Sequence, residues 1–255
     1  MTKNHLQILC LCLLSFSMAL RAAPAAGDSG GAFQDPFEKT DKSAQTASKP
    51  NLKISDPIEP VNRAFFTVND RLYFWLLKPV ETGYKTVLPK PARVSVNRVF
   101  LNARFPIRFV NNLLQGKFKS AGIETTRFVV NTTFGIGGLF DPAARRNLTE
   151  QKANLDQTLA KYRIPTGIYI CWPVLGPSSV RGTVGMAGDS MLTPWGYCSL
   201  LPVSLGVPAF ETINAGSLHL GEYEEFKSST LDPYVAMRSA YFENRANSVI
   251  ADEAR

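Results

Sequence analysis

Two consecutive segments of this 255-residue chain, 94–116 and 117–134, are apolar around most of a helix surface and carry one narrow polar line each. An α-helix brings residues three and four positions apart onto one face, so side chains with this spacing line up along it. A surface helix normally has the opposite proportions, with a limited apolar stripe and a broad polar face. The polar residues of the two lines are Arg104, Arg108, Asn111 and Gln115, followed by Ser120, Glu124, Arg127 and Asn131.

Two kinds of structure account for such helices. In the first, the outside of the protein touches lipid, the inside is wet, and the polar lines border a path for lipid. In the second, the helices are buried in a soluble core and their Arg and Glu side chains pair across a neighbouring helix. No apolar run after residue 25 reaches the about 18 residues of a spanning helix. Contact with lipid would therefore place the helices in the membrane plane or half inserted.

The first 25 residues have the organisation of a secretory signal peptide. Lys3 precedes the apolar run LQILCLCLLSFSMAL, and Ala23-Pro24-Ala25 supplies the small residues of a cleavage site. Cys10 and Cys12 lie inside the apolar run and lack the small preceding residue of a lipoprotein signal, so lipidation is not predicted. Residues 26–55 are rich in Ser, Ala, Lys and Gly, which predicts a disordered leader or tether.

The remainder, 56–250, is predicted to be one mainly α domain. Asp56-Pro57 and Asp232-Pro233 are typical of helix starts, with the aspartate as N-cap and the proline in the first turn. Further prolines punctuate the first half into segments of helix length. The stretch 167–176, GIYICWPVLG, is the one β-like segment.

Charge and aromatic residues restrict the partners. The formal net charge is +7, but Lys and Arg are spread along the chain, so no nucleic-acid site is predicted. Tyr73, Phe74 and Trp75 lie between Arg71 and Lys78. Amphipathic rings with flanking cations suit a lipid headgroup boundary, and core packing explains them as well.

The sequence gives little support for a catalytic site or a metal site. His219 is the one histidine after the signal peptide, which excludes multi-histidine metal sites. The GDSM block at 188–191 resembles a lipase nucleophile motif, but Gly216 occupies the place where that motif needs an Asp ahead of the histidine. We expect no enzyme activity, no metal and no cofactor. Cys171 and Cys198 are either a disulfide, as an exported protein allows, or two free thiols.

A glycine-rich loop follows the second polar line. It lacks the lysine of a Walker loop and the strand and spacing of a dinucleotide site, so it is not predicted to bind phosphate. Its glycines allow the chain to bend with positive φ after a helix. The loop is either the tip of a membrane-inserted hairpin or a buried turn. Its residues are Phe134, Gly135, Ile136, Gly137, Gly138, Leu139 and Phe140.

Five blocks, in order, resemble the MlaA (VacJ) family of phospholipid-transport lipoproteins of the Gram-negative outer membrane. The resemblance covers about residues 56–247. The blocks are DPIEPVNRAFFTVND, KPVETGYKTVLPKPARVSVNRVFLNARFPIRFVNNLLQGKF, TTRFVVNTTFGIGGLFDPA, WPVLGPSSVRGTVG and DPYVAMRSAYFENR.

The resemblance implies a single-domain helical ring in the membrane plane around an amphipathic channel. It implies that the protein removes mislocalised phospholipid from the outer leaflet and passes it to a periplasmic phospholipid carrier, beside an outer-membrane porin trimer. It favours the lipid interpretation of the two polar lines and of the hairpin. A structural partner of a porin and a soluble periplasmic lipid carrier are the alternatives.

This chain departs from the family pattern at two places. The family's lipobox cysteine is missing, which puts the lipid anchor in question. Asp156, Ala160 and Lys161 stand where small residues or glycine are usual, and Gly182 replaces a usual Asp. The surface that hands lipid to the carrier therefore differs.

Overall fold

Prolines begin helices in this protein more often than they interrupt them. The computed structural model describes residues 56–198 and 200–253, so the predicted signal peptide and leader lie outside the described residues. Pro79, Pro91 and Pro106 each occupy the first turn of a helix. Backbone N–H groups in the first turn have no intrahelical partner, so a proline there costs no hydrogen bond. Pro106 therefore splits the segment 94–116, which forms two helices that meet at Arg104 rather than one.

The described chain is mainly α-helical, as predicted. A π-helical turn, Tyr73–Leu77, joins the first two helices, and one hairpin of two short strands lies between the sixth and seventh. The elements are α1 Glu59–Leu72, α2 Lys78–Val87, α3 Lys90–Ala103, α4 Phe105–Leu114, α5 Phe118–Thr133, α6 Leu155–Lys161, β1 Tyr169–Trp172, β2 Gly176–Ser179, α7 Val180–Ser190, α8 Leu201–Leu218, α9 Glu222–Ser228 and α10 Pro233–Glu253.

Four helix pairings organise these elements. α4 and α5 pack against each other as a hairpin whose turn contains Gly116 at φ 71°, a left-handed conformation that glycine adopts readily. α6 packs against α7, and α8 packs against both α2 and α3. The second half of α8 is buried from Glu211 to Ser217 apart from the half-buried residue 213, so this helix lies deepest in the fold.

The β-hairpin is antiparallel, with Tyr169 opposite Ser179 and Trp172 opposite Gly176. The free edge of β1 is covered by two asparagines of α1. Asn62 donates to the Tyr169 carbonyl (3.1 Å) and accepts from the Cys171 N–H (2.8 Å). Asn69, seven residues further on the same helix face, donates to the Trp172 carbonyl (2.8 Å) and accepts from the Val174 N–H (2.6 Å). Both amides therefore satisfy backbone groups that a third strand would otherwise bind.

The first and last helices close on the same hairpin. Tyr169 of β1 packs against Tyr234, Tyr241 and Phe242 of α10, and this aromatic cluster is the buried core of the region. At its rim, Asp56 accepts hydrogen bonds from Tyr234, from Asn62 (2.7 Å) and from Arg238 (2.8 Å). We call the contact between Asp56 and Arg238 the clasp.

The two Asp-Pro motifs behave differently. Asp232 caps α10 as predicted, since its Oδ1 accepts from the backbone N–H groups of Tyr234 (3.0 Å) and Val235 (3.2 Å). The prediction for Asp56 is wrong, because α1 begins at Glu59 with Ile58 as the capping residue and no side-chain cap. The Asp56 carboxylate is engaged by the clasp and its neighbours instead.

The mainly α, ring-like fold predicted from the sequence is confirmed. None of the helices in the described part of the chain combines the length and apolar composition needed to cross a membrane. The orientation of the ring in the membrane plane stays a prediction.

Candidate functional site

The two polar lines face each other across the α4–α5 hairpin. Arg108 Nε lies 2.7 Å from Glu124 Oε2, and Glu124 is fully buried. The second carboxylate oxygen of Glu124 accepts the backbone N–H of Gln151 at 2.6 Å. Arg108 also donates to the Leu101 carbonyl (2.8 Å), and Ser120 donates to the Gln151 side chain (3.2 Å). The buried charges of this pair are therefore neutralised and hydrogen-bonded, as burial in low dielectric requires.

One turn further along α5, Arg127 and Asn131 share one carboxylate. Arg127 Nη2 lies 3.0 Å from Asp141 Oδ2, and Asn131 Nδ2 donates to Asp141 Oδ1 at 3.0 Å. Arg127 also donates to the Leu148 carbonyl. Burial alone would raise the pKa of Asp141, but hydrogen bonds from the Ala144 N–H, Asn131 and Arg127 outweigh it and hold that pKa below its usual value. These contacts fix the chain after the glycine-rich loop to α5.

The other end of the α4 line meets α6 and α7. Asn111 Nδ2 donates to Asp189 Oδ1 (2.9 Å), and the Thr158 hydroxyl donates to Asn111 Oδ1 (2.8 Å). Gln115 Nε2 in turn donates to Thr158 at 3.0 Å. Burial raises the pKa of Asp189 to about 6, against the opposing hydrogen bonds from the Leu155 N–H and Asn111. Asp189 therefore gains a proton at a pH well above that of an exposed aspartate.

Arg104 belongs to a separate contact, at the corner between α3 and α4. Its Nη2 lies 2.9 Å from Glu211 Oε2 on the buried half of α8. Its Nε is buried without a hydrogen-bond partner. The corner residue thus ties the α3–α4 bend to the central helix.

All seven residues predicted to border a lipid path are accordingly buried or half-buried and engaged in polar contacts. The structure brings together Arg108 with Glu124, Arg127 with Asn131, and Asn111 with Gln115, while Arg104 pairs elsewhere. The pairing of Arg and Glu across neighbouring helices is the arrangement expected of the buried interpretation. Their contact with lipid stays a prediction.

The glycine-rich loop forms a tight apolar turn. Phe134 is 73% exposed and Ile136 is 65% exposed, and Ile136 has φ 53°, a left-handed conformation that is rare for a β-branched residue. Asn102 of α3 holds the loop from inside by donating to the Thr132 hydroxyl (3.0 Å) and the Gly137 carbonyl (3.3 Å). A Cβ at Gly138, whose φ is 101°, would fall 2.6 Å from the Asn102 Cβ.

The remaining loop residues complete this picture. Phe140 is about half exposed, Leu139 is half-buried, and Gly135 is buried with backbone oxygens on both sides. The loop therefore presents large apolar side chains outward and glycine backbone inward. Its insertion into a membrane stays a prediction.

Threonines make the outer helix faces less polar than their composition suggests. Each of five exposed threonines donates its hydroxyl hydrogen to a backbone carbonyl three or four residues earlier, so its donor is satisfied within its own helix. Their methyl groups share the outer surface with exposed Phe118 and Val129 on α5 and Trp75 on the π turn. These threonines are Thr67, Thr82, Thr86, Thr125 and Thr126.

The two cysteines are free thiols in this structure. Cys171 is buried on β1, where burial raises the pKa of its thiol to about 12, and Cys198 is exposed. Of the two alternatives from the sequence, the structure has the unpaired thiols, and the predicted disulfide is absent between these described residues.

The lipase-like motif has no catalytic arrangement in the described residues. Ser190 donates to the Ala187 carbonyl (2.6 Å), and His219 Nδ1 lies 2.8 Å from Glu222 Oε1. Asp189 is part of the network around Asn111. The described part of the chain has no cluster of His, Cys, Asp or Glu that could hold a metal ion.

The chain matches the family model described as "MlaA lipoprotein" over residues 54–248. The chain belongs to the MlaA lipoprotein family. A solved structure reported as "Structural basis for maintenance of bacterial outer membrane lipid asymmetry" is similar with a TM-score of 0.66 and 30% identity, covering 74% of this chain and 96% of that one.

Relatives within the MlaA family extend the comparison. The "Intermembrane phospholipid transport system lipoprotein MlaA" of Escherichia coli K12 is 30% identical over 193 residues, which is 74% of this chain and 76% of that protein. The protein of the same name from Haemophilus influenzae is 28% identical over 198 residues, covering 74% and 77%. An uncharacterized protein of Rickettsia felis is 34% identical over 199 residues, covering 78% and 79%.

Several partners of the polar lines were missed by the sequence analysis of this MlaA-family chain. Sequence pattern singles out none of Asp141, Glu211 and Asn102, and it places Asp189 only in the lipase-like block. An isolated carboxylate within an apolar stretch is the signal that would have found Asp189 and Glu211, because a buried acid needs a partner. No periodicity pointed to Asn102.

Proposed function

We propose that this protein is the outer-membrane component of a phospholipid transport pathway. It takes mislocalised phospholipid from the outer leaflet and hands it to a periplasmic carrier, which maintains the lipid asymmetry of the outer membrane. The observation that carries this proposal is its similarity, over three quarters of the chain, to proteins named for intermembrane phospholipid transport. The similar solved structure, reported for outer-membrane lipid asymmetry, supports the same function.

The distribution of polarity supports a location in lipid. Arg108 of α4 and Glu124 and Arg127 of α5 are turned inward and paired. Phe118 and Val129 face outward among threonines with satisfied hydroxyls. Large apolar side chains that are exposed close together are typical of surfaces that contact lipid or another protein. The ring lies in the membrane plane, and the exposed tip around Phe134 and Ile136 inserts into the hydrocarbon.

The interior polar residues form the wall along which headgroups pass. Arg104, Arg108, Asn111, Gln115, Glu124, Arg127 and Asn131 present their polar contacts to the inside of the ring. Acyl chains lie along apolar faces. Passage needs no covalent step, so the protein acts as a conduit rather than an enzyme.

The pathway also defines partners and location. A cleaved signal peptide exports the chain, an outer-membrane porin trimer lies beside the ring, and a periplasmic phospholipid carrier receives the lipid. The exposed apolar side chains of the ring contribute to membrane attachment.

Fractionation tests the location. Membranes of the native host are separated and washed with high salt and alkaline carbonate, and a deletion strain is scored for phospholipid in the outer leaflet. We expect the protein in washed outer membranes and surface phospholipid in the deletion strain. Recovery in the soluble periplasm would make it a lipid carrier, and normal surface lipid with retained porin crosslinking would make it a structural partner of the porin.

The polar wall is tested with Arg127→Leu. The variant removes one cation from the wall but leaves Asp141 bonded to Asn131 and the Ala144 N–H. We expect reduced lipid passage in a complementation assay, with the free energy of unfolding lowered by about 3 kcal/mol. Arg63→Leu, which breaks the ion pair with Asp232 away from the network, is the matched control and leaves passage unchanged. Global unfolding of Arg127→Leu would make Arg127 a structural pair member and contradict the wall assignment.

A further inference from the structure

Exposed charge is segregated along the chain. The four acidic residues between 60 and 149 are all buried or bonded to a neighbour: Glu81 is buried, Asp70 is bonded to Lys227, Glu124 to Arg108, and Asp141 to Arg127. None of them belongs to the exposed surface. The described residues between 60 and 149 therefore have no acidic side chain exposed to solvent.

Cations in the same half remain exposed. Seven of them have no ion-pair partner among the described residues, and six of these seven lie within six positions along the chain of a large exposed apolar side chain, Arg98 being the exception. We call these six the cationic surface. They are Arg71, Lys85, Lys90, Lys119, Arg145 and Arg146.

The apolar neighbours are strongly exposed. Trp75, on the π turn one helical turn after Arg71, is 84% exposed, and Val87 between Lys85 and Lys90 is 76% exposed. Phe118 beside Lys119 is 73% exposed, and Phe140 precedes the two arginines and is 52% exposed. A cation next to an amphipathic or apolar anchor is the arrangement that holds a helix at a charged membrane interface.

The second half is mixed in sign. Its exposed acids among the described residues are Glu222, Glu225 and Glu243, and its exposed cations are Lys152, Lys161 and Arg163. An acidic protein partner would match the cations, but it would not require a bulky apolar side chain beside each of them. A lipid leaflet supplies both the phosphate layer for the cations and the acyl layer for the apolar side chains.

We infer that the cationic surface binds a leaflet rich in anionic phospholipid and that the protein prefers such headgroups over zwitterionic ones. The inference rests on the proposed function, since it names the lipid chemistry that the membrane-bound protein recognises. Attraction to an anionic leaflet strengthens membrane binding about fivefold for each cation near the surface. Salt weakens this part of the binding because the cations are exposed to solvent.

Vesicle flotation tests the inference with the full purified chain. The vesicles are phosphatidylcholine alone or phosphatidylcholine mixed with phosphatidylglycerol, at low and high salt. We expect tighter binding to the mixed vesicles at low salt. Arg71→Gln combined with Lys85→Gln should weaken binding to the mixed vesicles at low salt by about fivefold for each residue replaced. Arg98→Gln combined with Lys152→Gln makes the same change of net charge at exposed cations that have no large exposed apolar side chain within six positions, and retains the preference.

The outcomes separate this inference from the proposed function. Equal binding to both vesicles overturns the preference for anionic lipid and leaves the membrane location intact. An equal effect of the two double variants overturns the cationic surface and leaves only net charge. Binding to neither vesicle contradicts the proposed membrane location itself.

Discussion

At the scale of single residues, Glu81 is the least compensated charge in the described structure. Its side chain is 3% exposed, and none of the described residues donates a hydrogen bond to it. Gly216 of α8 lies so close that a Cβ there would fall 1.9 Å from the Glu81 carboxylate. Burial, together with the negative charge of Glu224, raises the pKa of Glu81 to about 7. The contact between α2 and α8 therefore accepts a neutral carboxylic acid better than a carboxylate.

This predicts a pH dependence with a definite sign. An acid whose pKa is raised on folding binds its proton more tightly in the folded state, which stabilises the fold at low pH. This stabilisation is lost as pH rises from the unfolded pKa of 4.5 to the folded pKa of about 7. Relative to Glu81→Gln, the wild type should lose about 2 kcal/mol of unfolding free energy across this window, allowing for residual screening.

The measurement is unfolding in mild detergent at about pH 4 and about pH 8, on either side of the window. Glu243→Gln, at an exposed position, is the control and should follow the wild type at both values. A constant difference between wild type and Glu81→Gln at the two pH values would mean that Glu81 is ionised throughout.

At the scale of helices and strands, the sequence predicted which helix faces carry the polar residues better than it predicted which residues pair with them. The spacing of Arg108, Asn111, Glu124 and Asn131 placed their side chains on single helix faces, and those faces are buried in the structure. Periodicity identifies a face but carries no information about the element that covers it. Glu211 pairs with Arg104 but lies 107 positions away in the chain, so local pattern could not predict that these two residues pair.

Helix packing gives a second prediction, at the α6–α7 contact. Gly185 lies so close to α6 that a Cβ would be 2.7 Å from the Asp156 backbone nitrogen and 3.0 Å from its Cα. Backbone cannot move aside as a flexible side chain can, so Gly185→Ala should lower the free energy of unfolding by about 2 kcal/mol.

The matched control is Gly83→Ala on α2, where no atom lies within 4 Å of the added Cβ. That change should stabilise the protein by about 0.5–1 kcal/mol, because alanine favours the helix over glycine. Thermal unfolding of both variants in the same detergent tests the pair. Equal effects of the two substitutions would contradict the packing argument.

At the scale of the whole molecule, ring closure depends on contacts between the ends of the domain. The Asp-Pro pattern predicted Asp56 as a helix cap, but its carboxylate binds Arg238 and Tyr234 of α10 instead. Sequence rules for capping consider only the next few residues. A partner 182 positions away on α10 therefore lies beyond their reach.

The clasp predicts acid sensitivity of ring closure. Burial raises the pKa of Asp56, but hydrogen bonds from Tyr234, Arg238 and Asn62 outweigh this and lower it below 3.8. Its stabilising contribution is therefore present above pH 3.8 and is lost as pH falls through the lowered pKa. Asp56→Asn should lower the free energy of unfolding by about 2 kcal/mol at neutral pH, with a smaller difference at about pH 3.

Unfolding of Asp56→Asn at both pH values checks this prediction. Glu59→Gln is the comparison, because Glu59 belongs to a solvent-exposed ion pair with Arg63 and should change stability by about 0.5 kcal/mol. Equal effects of the two substitutions at neutral pH would show that ring closure does not depend on the clasp.

The asparagines that cover β1 have a consequence for self-association. A strand with an open edge can recruit a strand from another molecule, which is how many proteins begin to aggregate. Asn62 and Asn69 occupy the C=O groups of Tyr169 and Trp172 and the N–H groups of Cys171 and Val174, which are backbone groups that such a strand could bind. Helix α1 thereby blocks the β1 edge of the sheet, and a second copy of the protein cannot add a strand at that edge.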